Sequence, residues 1–135
     1  MKVVLDTNVR LSGLMAPEGM PGRILAAWFE ARFDVAMSIE QLTEIGRALS
    51  YPKIRRKLKW DEQRIEQFIR QLYIRVEVVD LRSTSVEVPR DPRDTPILAT
   101  LVASGADVLV SGDRDLLELR RAYPIQTPAE FVRRL

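Results

Sequence analysis

Val3-Val4-Leu5-Asp6-Thr7-Asn8 places a short, fully apolar strand candidate directly before an acid in a polar turn. Related arrangements recur along the chain. Val108 to Val110 runs into Ser111-Gly112-Asp113-Arg114-Asp115, and Asp94 in Asp91-Pro92-Arg93-Asp94-Thr95-Pro96 stands where a helix opens. Glu44, in Leu42-Thr43-Glu44-Ile45, lies on a helix that follows the strand candidate Phe33 to Met37. In an open parallel sheet, ligands bind in the crevice outside the carboxyl ends of the strands, so acids on separate strand-to-helix turns meet there. Gathered carboxylates repel one another unless a cation joins them, and Mg²⁺ or Mn²⁺ is the usual partner of oxygen donors. Asp6, Glu44, Asp94 and Asp113 therefore read as a metal site.

The rest of the chain alternates strand and helix signals. After a Gly/Pro-bearing loop through Gly22, Ile24, Leu25, Trp28 and Phe29 share a helix face. Ser38 with Gln41 forms a capping box before Ile39, Leu42, Ile45 and Leu49, and Tyr51-Pro52 stops that helix. Lys53 to Trp60 reads as a short basic helix, and Asp61 opens a longer one with Ile65, Phe68, Ile69, Leu72 and Tyr73 at helical spacing. Val76 to Val79 suits a third strand. Asp94 or Thr95, with Pro96 just inside, opens a helix with Ile97, Leu98, Leu101 and Val102, closed by Gly105. Thr127-Pro128-Ala129-Glu130 is a second capping box. No internal repeat, low-complexity tract or linker divides residues 1–135, so the expectation is one α/β domain, a parallel sheet with helices on both faces.

Composition removes whole chemistries. The 135 residues contain no His and no Cys, which excludes imidazole bases, thiolate nucleophiles, the usual zinc ligands and disulfides, and leaves oxygen ligands. Lys+Arg 21 against Asp+Glu 19 does not by itself mark a nucleic-acid binder. There is no signal-peptide pattern, and no apolar run approaches the roughly 18 residues of a membrane span. A soluble cytoplasmic protein, with no membrane partner, is expected.

Each acid also has a purely structural reading. Asp6, Asp94 and Asp113 stand where Asp commonly caps a turn or a helix. Glu44 points away from the Leu42, Ile45 and Leu49 stripe, as does Glu40 one turn earlier. That orientation suits solvent or a cleft wall equally.

Taken together and in order, Leu5-Asp6-Thr7-Asn8, Leu42-Thr43-Glu44, Asp91-Pro92-Arg93-Asp94 and Ser111-Gly112-Asp113-Arg114-Asp115-Leu116 resemble the PIN-domain ribonucleases, above all the toxin components of toxin-antitoxin pairs. The resemblance runs from Met1 to about Leu119 and includes Tyr51-Pro52-Lys53 and Ala103-Ser104-Gly105-Ala106-Asp107. It implies a three-layer PIN-like fold and a Mg²⁺- or Mn²⁺-dependent endoribonuclease that hydrolyses RNA phosphodiester bonds. It further implies that Asp6 and Asp94 are the principal metal ligands, with Glu44 and Asp113 completing the cluster and Asp115 outside them. Asn8 would orient Asp6, and Ser111 would serve near Asp113. Thr95 departs from the Asp or Asn of many relatives, which loosens the count of acids on the metal. With no His, activation of water would fall to the ion, and fragments would carry 5′-phosphates rather than cyclic ends.

The resemblance also implies a cognate antitoxin partner and a homodimer. The densest positive segment, Lys53, Arg55, Arg56, Lys57 and Lys59 followed by Trp60, reads either as an RNA-binding surface or as a solvated helix face with an apolar seam through Ile54 and Leu58. A response-regulator receiver has similar size and alternation, but it needs a Lys late in the chain, and none follows Lys59. The alternative within the fold is a non-catalytic PIN scaffold that binds RNA or a partner protein.

Overall fold

Val3, Val4 and Leu5 are all fully buried in β1 (Lys2–Leu5), as an apolar run of this kind demands. The computed structural model describes residues 1–82 and 95–135. Within them β1 is joined by β2 (Asp34–Ser38), β3 (Val76–Val79), β4 (Val108–Val110) and β5 (Ile125–Gln126) in the order β3-β2-β1-β4-β5, every pairing parallel.

Because side chains alternate across a strand, the sheet feeds two separate cores. Val3, Leu5, Val35, Met37, Val108 and Val110 enter one of them. That core also takes apolar residues of α1 (Thr7–Met15), α2 (Met20–Phe29), α3 (Ile39–Leu49), α5 (Glu62–Arg75) and α8 (Pro128–Val132), with Ile54 and Leu58 of α4 (Pro52–Leu58) at its edge. Val4, Ala36 and Leu109 enter the other, against Ile97, Leu98 and Leu101 of α6 (Thr95–Ser104) and Leu116 of α7 (Arg114–Leu117). The result is the three-layer α/β architecture expected from the alternation.

Both capping boxes form. The Ser38 hydroxyl accepts the Gln41 N–H at 3.2 Å while Gln41 Oε1 accepts the Ser38 N–H at 3.1 Å, and Thr127 and Glu130 repeat the exchange at α8. Gly105 ends α6 with φ of +64°, a conformation other residues adopt at a cost.

The stretch after β1 differs from its sequence reading. The loop expected through Gly22 holds α1 and the first turn of α2. Thr7, Arg10 and Gly13 are among the buried positions of α1, so the helix has no clean apolar stripe. Tertiary packing, not periodicity, holds it in place. Close approach of α2 to the preceding turn depends on Gly22, where a Cβ would stand 2.1 Å from the Pro17 carbonyl oxygen. Gly22→Ala is therefore expected to cost about 1–3 kcal/mol, read as a lower urea midpoint. An unchanged midpoint would show that the turn yields freely.

Candidate active site

The strand order creates the crevice. From β1 the chain moves to β2 on one side, while β4 adds on the other, so the carboxyl ends of β1 and β4 border the point where the order reverses. Asp6 leaves β1 there, its N–H bonded to the Val110 carbonyl at 3.0 Å. Ser111, the residue after β4, is fully buried, and its hydroxyl donates to Asp6 Oδ2 at 2.7 Å. Ser111 Oγ in turn accepts the Asp113 N–H at 3.0 Å. One serine thus ties two acids that the sequence separates widely.

Ser38, at the end of β2, opens α3 and so aims Glu40 and Glu44 at the same edge. Asp6, Thr7, Glu40, Gln41, Glu44, Pro96 and Ile97 bound a cleft of about 110 Å³. The two readings of Glu44 therefore meet: it is solvent-exposed and it is a cleft wall.

The acids differ in what they do locally. Asp6 is the N-cap residue of α1, yet its side chain makes no capping bond; its carboxylate is held by the Ser111 hydroxyl and by the backbone N–H of Thr7. Asp113 does cap, its Oδ1 accepting the Asp115 N–H at 2.9 Å. Asp115 sits half-buried in the first turn of α7. Asn8 is exposed, and among the described residues the side chain that hydrogen-bonds Asp6 is Ser111. Asp94 lies outside the described residues.

Burial pushes the Asp6 carboxyl above its ordinary range, and repulsion from Asp113 adds to this, against the Ser111 bond and the attraction of Arg10. An anion so placed is one that a cation would stabilise. The donors are all oxygen, as a hard divalent ion prefers. Among the described residues no three acids are grouped closely enough to cage an ion. The set nonetheless fits Mg²⁺, which is commonly held by one or two carboxylates with water filling the remaining positions.

Arg10 is the participant that sequence reasoning missed. It stands one helical turn after Asp6, is 1% exposed, and its Nη2 donates to Thr7 Oγ1 at 2.9 Å. Burial brings its guanidinium down to about 10, against the attraction of Asp6 and Glu44, and leaves it cationic at neutral pH. The available signal was its spacing, four residues after Asp6 and between Val9 and Leu11 in an otherwise core-directed turn.

The basic segment forms α4, packed against α1 and α3. Lys53, Arg56, Lys57 and Lys59 are exposed, Arg55 is half-buried, and Ile54 and Leu58 make the apolar seam. Trp60 packs on Phe68, with ring centroids 5.2 Å apart, and Arg64 lies 4.9 Å from its centroid. A larger cavity of about 690 Å³, among Leu14, Phe29, Trp60, Arg64 and Phe68, shares no lining residue with the acidic cleft. No helix among the described residues is long and apolar enough to cross a membrane.

A parallel sheet between two helical layers, with acids at the point where its strand order reverses, defines a class of α/β proteins that bind ligands at that edge. The sequence matches the PIN domain over residues 2–115, and the chain belongs to the PIN domain family. A similar sequence is an uncharacterized protein of Methanocaldococcus jannaschii, 34% identical over 142 aligned residues that cover 98% of this chain and 90% of that protein. Among solved structures, VapBC2 from Rickettsia felis bound to a DNA fragment from their promoter is similar in fold. The TM-score is 0.58 at 15% identity, covering 94% of this chain and 98% of that one.

Proposed function

We propose that the protein is a Mg²⁺- or Mn²⁺-dependent endoribonuclease, the toxin of a toxin-antitoxin pair, acting as one domain in the cytoplasm. The observation that carries this reading is the Asp6 carboxylate. It is half-buried at the sheet's switch point, makes no side-chain capping bond, is oriented by Ser111 and shares its cleft with further acids. Asp6 and Asp94 would hold the ion, with Glu44 and Asp113 completing the set directly or through water and Asp115 outside them. A bound divalent ion supplies charge stabilisation at the scissile phosphate and acidifies coordinated water.

The protein's own residues do the positioning. Ser111 fixes one oxygen of Asp6, and Glu40 and Glu44 line the same cleft. The exposed cations of α4, beside the helices that carry Asp6 and Glu44, engage the RNA backbone. Membership of the PIN domain family supports nuclease chemistry, and the fold shared with VapBC2 supports a protein antitoxin as partner. A homodimer is part of the same reading, with exposed apolar side chains such as Phe29, Tyr73, Ile74 and Val78 available for its contacts.

The test is a mixed RNA panel incubated with purified protein and Mg²⁺ or Mn²⁺, with and without chelator. Metal-dependent fragments with 5′-phosphates are expected; 2′,3′-cyclic ends would overturn the hydrolytic reading. Ser111→Ala, which frees Asp6 Oδ2 and the Asp113 N–H together, should lower Mn²⁺ affinity about 10–100-fold. Unchanged affinity would remove Ser111 from the site.

A further inference from the structure

Arg10 presents an imbalance that the proposed reaction does not use. It heads the largest fully buried side chains, and its Nε and Nη1 have no hydrogen-bond partner among the described residues. A buried cation with orphaned donors is costly unless nearby negative charge compensates it. Its satisfied nitrogen bonds Thr7, which lines the acidic cleft, and its backbone N–H bonds the Asp6 carbonyl at 3.2 Å. The negative charges that attract it are Asp6 and Glu44, both walls of that cleft. Because the guanidinium is enclosed, it cannot reach an RNA phosphate as it stands, so its effect passes through the carboxylates.

We infer that Arg10 is a fixed counter-cation of the acidic cleft, a positioning residue that holds Asp6 and Glu44 partly neutralised and so weakens their uptake of a divalent ion. The inference rests on the acidic-cleft reading given above. It predicts a chain that stays folded without metal, because one positive charge is already built in. A divalent ion must then enter against that charge, through a medium less screening than water.

The test uses the full chain, Mn²⁺ as probe, and isothermal titration together with melting temperature in metal-free buffer and in Mn²⁺. Arg10→Met, which removes the charge at similar length, is expected to bind Mn²⁺ on the order of tenfold or more tightly than wild type. Its melting temperature should also rise further on adding Mn²⁺. Arg10→Lys, which keeps the charge, should stay close to wild type. Equal or weaker Mn²⁺ binding by a folded Arg10→Met overturns the inference, and so does the same change in both variants, which would mean that shape rather than charge matters.

An Arg10→Met chain that folds only with Mn²⁺ is also an expected result. If it folds in neither buffer, the double variant Arg10→Met/Glu44→Gln decides. Recovery of folding on removing the opposing acid supports charge compensation, and no recovery overturns it. Absence of Mn²⁺ binding in every folded variant would sink the metal reading of the cleft, while the double variant would still settle Arg10's pairing.

Discussion

Asp6→Asn is expected to lower metal-dependent RNA cleavage by more than about a hundredfold while leaving the metal-free protein at least as stable as wild type. The lower bound follows from outer partners of metal ligands, whose loss alone costs about 10–100-fold; a direct ligand should cost more. The stability half follows from linkage. Burial raises the folded-state pKa of Asp6 above its ordinary value of 3.8, so between the unfolded and folded values the native state binds more protons than the unfolded one. Native stability therefore falls as pH rises through that window, and at neutral pH the ionised Asp6 is, with its attraction for Arg10 already counted, a net cost that Asn removes. Thermal melts in chelator check the sign: a clear drop for Asp6→Asn would mean that its charge supports the fold. Asp94→Asn should lose cleavage equally, and cleavage retained by either variant would refute its place among the proposed ligands.

Phe131→Ala should be the most damaging truncation in the core, at about 3–5 kcal/mol. Phe131 is completely buried, meets Phe33 edge-on with centroids 5.3 Å apart, and lies on the short helix α8. Removing the ring opens a cavity between that helix and the core beneath α2, and a five-residue helix depends on such packing for its stability. Denaturant unfolding measures this. A loss below about 1 kcal/mol would show that the site collapses around the smaller residue.

Much of the layout was legible because it is locally encoded. The apolar runs at Val3 to Leu5 and Val108 to Val110 carry strand signals independent of their neighbours. Ser38 with Gln41 and Thr127 with Glu130 announce helix starts through bonds only three residues long. β5, just two residues, carries too little pattern to read. Helix α1 escaped for a different reason: its buried positions include Thr7, Arg10 and Gly13, residues whose polarity or size signals a loop until a packed neighbour is known.

The candidate site divides along the same line. That Asp6, Glu44, Asp94 and Asp113 belong to a PIN domain was readable from the chain alone, as was the absence of any imidazole or thiol to share their work, because residue type and order need no coordinates. What the tertiary structure decided is how the described acids are held. It places the Ser111 hydroxyl on Asp6 across 105 residues, turns Glu40 and Glu44 to the cleft wall, spends one oxygen of Asp113 on capping α7, and buries the charge of Arg10 against Thr7, where Asp6 and Glu44 attract it. Burial and long-range hydrogen bonding arise only when distant segments pack. They set the electrostatics of a carboxylate far more strongly than its immediate neighbours in sequence do.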